Sequence, residues 1–240
     1  MATTPAYLPP QESENFGSDL AGMFAFFADP AGAARRVHRR WFWIAPLTTV
    51  VLISILAGIA LEPIVRQVSA LMPMRPGATP EQQQRAIEIG IAAQRIFTPL
   101  SVLVMILIQS MIVYGTASAL TIRAKFREFL NLVAGCSLIS MALTSIAAVI
   151  ILRSKGEVSS VAELTPALGL DIFLPADTSK VLIGVLGYFS VFQLWWIVMM
   201  VLIVSAAFRV SKRKALATVT PLILLALLMR IGLALFRGQR

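Results

Sequence analysis

Charged residues stand in clumps along this chain, and long apolar runs separate them. Trp41–Leu61, Ile96–Ile122, Phe129–Leu152 and Val181–Phe208 contain no Asp, Glu, Lys or Arg. Crossing a hydrocarbon layer of about 30 Å takes about 20 apolar residues in a helix, so each run is long enough. A fifth run, Ala215–Met229, stops at Arg230 and then resumes as Ile-Gly-Leu-Ala-Leu-Phe. It suffices if Arg230 snorkels to the far interface. The runs are continuous and do not alternate, which selects helices over a barrel. The pattern predicts an all-α polytopic membrane protein. Its bundle of five transmembrane helices lies at about 42–61, 96–122, 129–152, 181–208 and 215–236.

The segment before the first run has its own pattern. Residues 1–20 are polar, carry Pro5, Pro9 and Pro10, and hold no Lys or Arg. A signal peptide would begin with a basic stretch and turn apolar at once, so 1–20 reads as a disordered cytosolic tail and 21–240 as the membrane domain. Asp29-Pro30 is a helix start: a carboxylate N-cap, then proline where its missing N–H costs nothing. A helix from there to Trp41 places Arg35, Arg36, Arg39 and Arg40 on one face by i,i+4 spacing, with Phe24, Phe26 and Phe27 just ahead. Aromatics beside a basic face predict an interfacial amphipathic helix whose arginines contact lipid headgroups. Thr79-Pro80-Glu81 is a second helix start, leading through a Gln-rich segment toward the second span, with Thr98-Pro99 as a kink candidate. Leu164–Pro175 is apolar and broken by Pro166, Gly169 and Pro175, and is expected to rest against the outer membrane face.

Composition removes the soluble alternative. Apolar residues make up 58% of the 240, and charged residues 14%. Soluble domains run at about 45–50% and about 25%. The mean hydropathy is +0.80. The 21 basic and 12 acidic residues give a net charge of +9, which in a membrane protein faces anionic lipid and not nucleic acid. The bases concentrate in three short places: Arg35–Arg40, Arg123–Arg127 and Arg209–Lys214. These alternate along the chain and so lie on one side. The positive-inside rule makes that side cytoplasmic and puts the C-terminus outside. Arg230, Arg237 and Arg240 oppose this orientation.

Little catalytic chemistry is on offer. The single histidine, His38, sits within Arg-Arg-Val-His-Arg-Arg. Its four cationic neighbours would disfavour its protonation and repel a metal, so it reads as an interfacial side chain. All twelve carboxylates lie outside the charge-free cores, which argues against intramembrane acid chemistry and carboxylate proton relays. One cysteine, Cys136, builds neither an intrachain disulfide nor a thiolate metal site. No cofactor motif or metal-ligand spacing occurs, and the chain reads as a non-enzyme. A small carrier or channel subunit for an apolar or uncharged solute is the alternative function, because such a path needs no buried charge. Ser140, Thr144 and Ala148 share a face of the third span, as Gly115 and Ala119 do in the second. Small residues so spaced let helices approach closely, and intramolecular packing is their expected use. A dimer interface or a polar path is the other use.

These residues together resemble a family. Phe26-Phe-Ala-Asp29-Pro30, an arginine-rich segment, then Trp43-Ile-Ala-Pro46-Leu47 is similar to the opening of the Yip (Ypt-interacting protein) domain family, especially its bacterial branch. Lys125-Phe-Arg-Glu-Phe129 resembles its short inner loop. Ser190-Val-Phe192-Gln-Leu-Trp195 resembles its Asp-x-Phe-x-x-Trp segment, with serine where the family often has aspartate. Ser211-Lys-Arg-Lys-Ala215 resembles its basic turn before the last span. The resemblance runs from about Phe24 to Phe236 and implies five helices with a cytosolic N-terminus. Eukaryotic Golgi members carry a longer cytosolic region containing Asp-Leu-Tyr-Gly-Pro. This chain lacks that motif, so Rab GTPase binding and vesicle traffic are not carried over. The expected protein is a membrane scaffold or organiser of a bacterial inner membrane. Its expected partners are the bilayer, anionic lipids, and a second copy or another membrane protein.

Overall fold

The computed structural model describes residues 16–70, 79–156, 158, 161–164, 166–175 and 178–238. The first fifteen residues of the expected tail lie outside these. Its last five do not fit that reading, because Phe16–Gly22 is a helix (α1). Two short helices follow, α2 (Ala25–Ala28) and α3 (Pro30–Val37). The long helices are α4 (Ile44–Ala70), α5 (Pro80–Ala119), α6 (Phe126–Ser137) continuing as α7 (Thr144–Lys155), α9 (Val191–Phe208) and α10 (Lys212–Gly238), with α8 (Lys180–Leu186) ahead of α9. Five of these helical stretches are long and apolar enough to cross a membrane. The expected all-α bundle of five spans is the architecture.

Each start has a local cause. Asp29 caps α3, its Oδ1 accepting from the Gly32 N–H at 2.9 Å, with Pro30 in the first turn. Thr79 caps α5 by a reciprocal box: its hydroxyl accepts from Gln82 N, and the Gln82 side chain accepts from Thr79 N. From that cap α5 runs unbroken through Pro99 for 40 residues, about 60 Å at 1.5 Å per residue. The third span is one helix in outline, but Leu138–Leu143 forms a π-helical turn between α6 and α7. Such turns mark sequences fitted to a tertiary demand.

The fourth span departs from its expected bounds. The uncharged run 181–208 is two helices, because the chain turns at Gly187–Ser190 and restarts at Val191. The crossing helix α9 has 18 residues, about 27 Å. Ser190 caps it, its hydroxyl accepting from Gln193 N at 3.1 Å. The apolar loop folds under this turn. A Cβ on Gly169 would stand 2.8 Å from the Gly187 carbonyl oxygen, so glycine permits the two backbones to meet. Leu170, Ile172 and Phe173 of that loop are exposed.

Helix α6 is the centre of the bundle. Every residue from Phe129 to Ser137 is buried, and α3, α4, α5 and α9 all pack on it. The Gly115/Ala119 face does not serve packing within the chain. Both residues are exposed, and a Cβ on Gly115 would meet nothing within 4 Å. The N-terminal segment, the α5–α6 loop and the α9–α10 loop gather at one end, called here the basic end. Lys214 Nζ reaches Thr121 Oγ1 at 3.5 Å to link the two loops. Thr121 and Arg209 turn these loops with left-handed φ values of 57° and 51°.

Candidate functional site at the basic end

The N-terminal segment packs into the bundle at the basic end. Helix α3 ends at Val37, and the chain then turns through His38–Trp43 into α4. The expected helix to Trp41 is therefore shorter, and the i,i+4 face of four arginines does not form. Gly32, Ala33, Ala34 and Val37 are buried, so α3 packs its small-residue face on the bundle and leaves Arg35 exposed on the other. Trp195 Nε1 donates to the Phe27 carbonyl at 2.9 Å, and His38 Nε2 meets the Ala207 carbonyl at 3.2 Å. Those two anchor points are about 18 Å apart along α9. The segment runs alongside that helix.

Its seat is aromatic. Phe26 is fully buried and stacks on Phe42, ring centroids 5.3 Å apart. It also fills the space beside Gly135 of α6, where a Cβ would come within 2.3 Å of the Phe26 ring. Phe27 meets Trp195 edge to face at 5.9 Å. Two of the family-motif positions, Asp29 and Trp195, thus hold neighbouring residues of one segment. Pro30 lies in the first turn of α3, where it needs no donor. Pro46 is buried near the start of α4. Phe192 is partly buried in α9.

The polar contacts close the segment on itself and on the bundle. Asp19 of α1 accepts from Arg39 Nη1 at 2.7 Å and faces Arg36 Nη1 at 3.9 Å. Arg39 Nη1 also donates to Ser18 Oγ, and Arg36 Nη1 to the Ser18 carbonyl. Helices α1 and α3 are therefore the two arms of a hairpin with its tip at Met23–Asp29. Of the four arginines, Arg36 and Arg39 point to this hairpin, while Arg35 and Arg40 are exposed. Arg40 stands 5.3 Å from the ring of exposed Trp41. Exposed Arg123, Lys125, Arg209, Lys212 and Arg213 complete a cationic rim at this end.

Asn131, wholly buried on α6, joins the hairpin to the first span. Its Nδ2 donates to the carbonyls of Val37 at 2.9 Å and Arg39 at 2.6 Å, and its Oδ1 accepts from Trp43 N at 2.9 Å. One amide thereby satisfies the end of α3 and the approach to α4, groups that would otherwise be orphaned in an apolar core. His38 makes the second junction. Its Nδ1 lies 2.9 Å from Glu128 Oε1 and its Nε2 3.2 Å from the Ala207 carbonyl. Both facing atoms are acceptors, and the imidazole links the N-terminal segment to α6 and to the end of α9. Glu128 is held in turn by the Lys125 N–H at 2.7 Å.

Asn131 and Glu128 carry no local signal as junction residues. In sequence Asn131 is one polar residue near the start of an apolar run, and nothing local pairs it with residues about ninety positions away. The Yip1 domain matches residues 24–233, from the tip of the hairpin to the last turns of α10. The chain belongs to the Yip1 domain family. No curated protein and no solved structure matches it. The Yip1 match spans the hairpin, the Asn131 junction and all five candidate spans, and makes the chain a multi-span membrane protein.

Proposed function

We propose that this Yip1-domain protein is a non-enzymatic membrane scaffold, and that the cationic rim around its N-terminal hairpin holds anionic lipid on the cytoplasmic side of a bacterial inner membrane. One observation carries the reading. Four buried polar side chains within the spans bond to the chain's own backbone: Asn131 as above, Ser110 to the Ile106 carbonyl, Ser137 to Ala134 and Thr218 to Lys214. Those groups serve structure, which favours the scaffold over the carrier or channel alternative. The rim around the hairpin, by contrast, offers Arg35, Arg40 and the loop cations to whatever lies at the surface. Each basic group near an anionic membrane adds about 1 kcal/mol of attraction, strongly screened by salt.

The test uses the full-length protein in nanodiscs containing defined fractions of phosphatidylglycerol. Lipid-bound nitroxide probes should report anionic lipid enriched around wild type at low salt. Arg35→Gln with Arg40→Gln should lower the enrichment measurably. Arg36→Gln with Arg39→Gln should instead lower thermal stability. Equal occupancy by phosphatidylcholine and phosphatidylglycerol would overturn the lipid part of the proposal. Solute flux through proteoliposomes above that of empty vesicles would overturn the scaffold part.

A further inference from the structure

Away from the hairpin, α4 and α7 part to leave an apolar groove. Ile53, Leu56, Ala57 and Ala60 line it from α4, and Ile146, Val149 and Ile150 from α7; its volume is about 270 Å³. The α4 lining runs from Ile53 to Ala60, eight residues or about 10 Å along the helix. Ala57 and Ala60 are its smallest side chains and leave the low floor between the larger Ile, Leu and Val residues. Leu56 and Ile150 are exposed on its rims.

One end of the groove is charged. Arg153 follows Val149 by four residues and Ile150 by three, so it stands one helical turn beyond the lining. Its Nη2 donates to the Ala60 carbonyl at 2.5 Å, which fixes the guanidinium over the groove's mouth. That carbonyl is its partner among the described residues, and a guanidinium has five N–H donors. Charge begins at the same level on neighbouring helices. Just past Ala60, Glu62 pairs with Arg66 of its own helix and with Arg95 of α5. This level is where an apolar span meets the headgroup region. Beyond it, Ile64, Val68, Leu152 and Val158 form a small separate core that closes the far side.

We infer that the α4–α7 groove is a phospholipid site: one acyl chain lies along Ala57 and Ala60, and the phosphodiester sits on Arg153. In a surface that faces hydrocarbon, a glycerophospholipid supplies an apolar chain and an anionic oxygen in one molecule, at the separation this groove sets. A partner helix would cover the rims without answering the guanidinium. The site is at the end of the bundle opposite the hairpin and rests only on the protein's place in a membrane, not on the scaffold reading.

Native mass spectrometry of the full-length protein, released from nanodiscs of phosphatidylglycerol and phosphatidylcholine, reads the site directly. Wild type should retain one phospholipid. Ala57→Phe, which fills the floor, should lower the retained fraction about tenfold, and Arg153→Gln about fivefold with Arg153→Lys restoring most of it. A phospholipid bearing a photoreactive group in its acyl chain should label Leu56 and Ile150 of the unmodified protein in preference to Leu225 and Leu228 of α10. That measurement decides the question even if Ala57→Phe folds poorly. Uniform labelling of lipid-facing residues, or retention unaffected by both substitutions, would overturn the inference. So would loss of a dimer mass, without loss of lipid, in Ala57→Phe.

Discussion

Single atoms decide several features at the residue scale. The Ser190 hydroxyl caps α9 through Gln193 N. Serine and aspartate are nearly equal as N-caps, so either residue would start this helix at that position. Trp195 and Trp196 are neighbours with opposite situations. Trp195 donates to Phe27, whereas the indole N–H of buried Trp196 has no acceptor among the described residues. Gly135 is required by the ring beside it. Gly135→Ala puts a methyl where the Phe26 ring already stands, and should destabilise the protein by about 1–3 kcal/mol as an overpacking change. Combined with Phe26→Leu, the cost should fall below the sum of the two single changes, because they share one contact. Thermal melts of the three variants in detergent check this; strict additivity would mean that Phe26 does not fill the Gly135 seat.

At the scale of elements, the hairpin of α1 and α3 is the least autonomous part of the protein. Helices of seven and eight residues are too short to persist alone in water, so their order comes from the α9 and α6 surfaces and from Asp19. The Asp19 carboxylate faces two guanidinium groups that are themselves mostly buried, with 12% and 16% of their side chains exposed. Asp19→Asn replaces that carboxylate by a neutral amide. Limited proteolysis should then cut near Met23–Asp29 faster than in wild type, while the five long helices keep their circular dichroism. Unchanged cleavage would show that the aromatic seat alone holds the hairpin. Helix α10 illustrates a different balance. Arg230 lies inside a helix that continues to Gly238 and sits 5.5 Å from the Tyr188 ring. The charge is accommodated by an aromatic face at the turn between α8 and α9, and the helix does not break.

For the whole molecule, five crossings would leave the two ends of the membrane domain on opposite sides. The positive-inside rule then predicts the short basic loops inside and residues 62–95 and 153–180 outside. Single cysteines introduced into a Cys136→Ala background test the orientation. Substitution at Ala78 should be labelled by a membrane-impermeant reagent from the outside, and substitution at Ser211 only after the membrane is opened. Labelling of Ala78 from the cytoplasmic side alone would reverse the orientation, and a cytoplasmic C-terminal reporter would break the five-span count.

The sequence by itself determined the solvent, the helix class and the number of spans. Hydrophobicity summed over about 20 residues is a local property and needs no partner to be read. It also determined the starts at Asp29 and Thr79, because a capping side chain reaches only three residues along its own chain. The tertiary structure decided everything that depends on what comes alongside. A run of 28 uncharged residues does not by its hydropathy show the turn at Gly187, which in the fold lies against the backbone of Gly169 in the apolar loop. Arginines at i and i+4 share a face only while the helix lasts, and α3 ends at Val37. Asn131, donating its side-chain amide hydrogens to Val37 and Arg39, takes up the carbonyls beyond that end. His38 stands among cations in sequence, but its hydrogen-bond partners are Glu128 and the Ala207 carbonyl, which only the packing of α6 and α9 brings alongside.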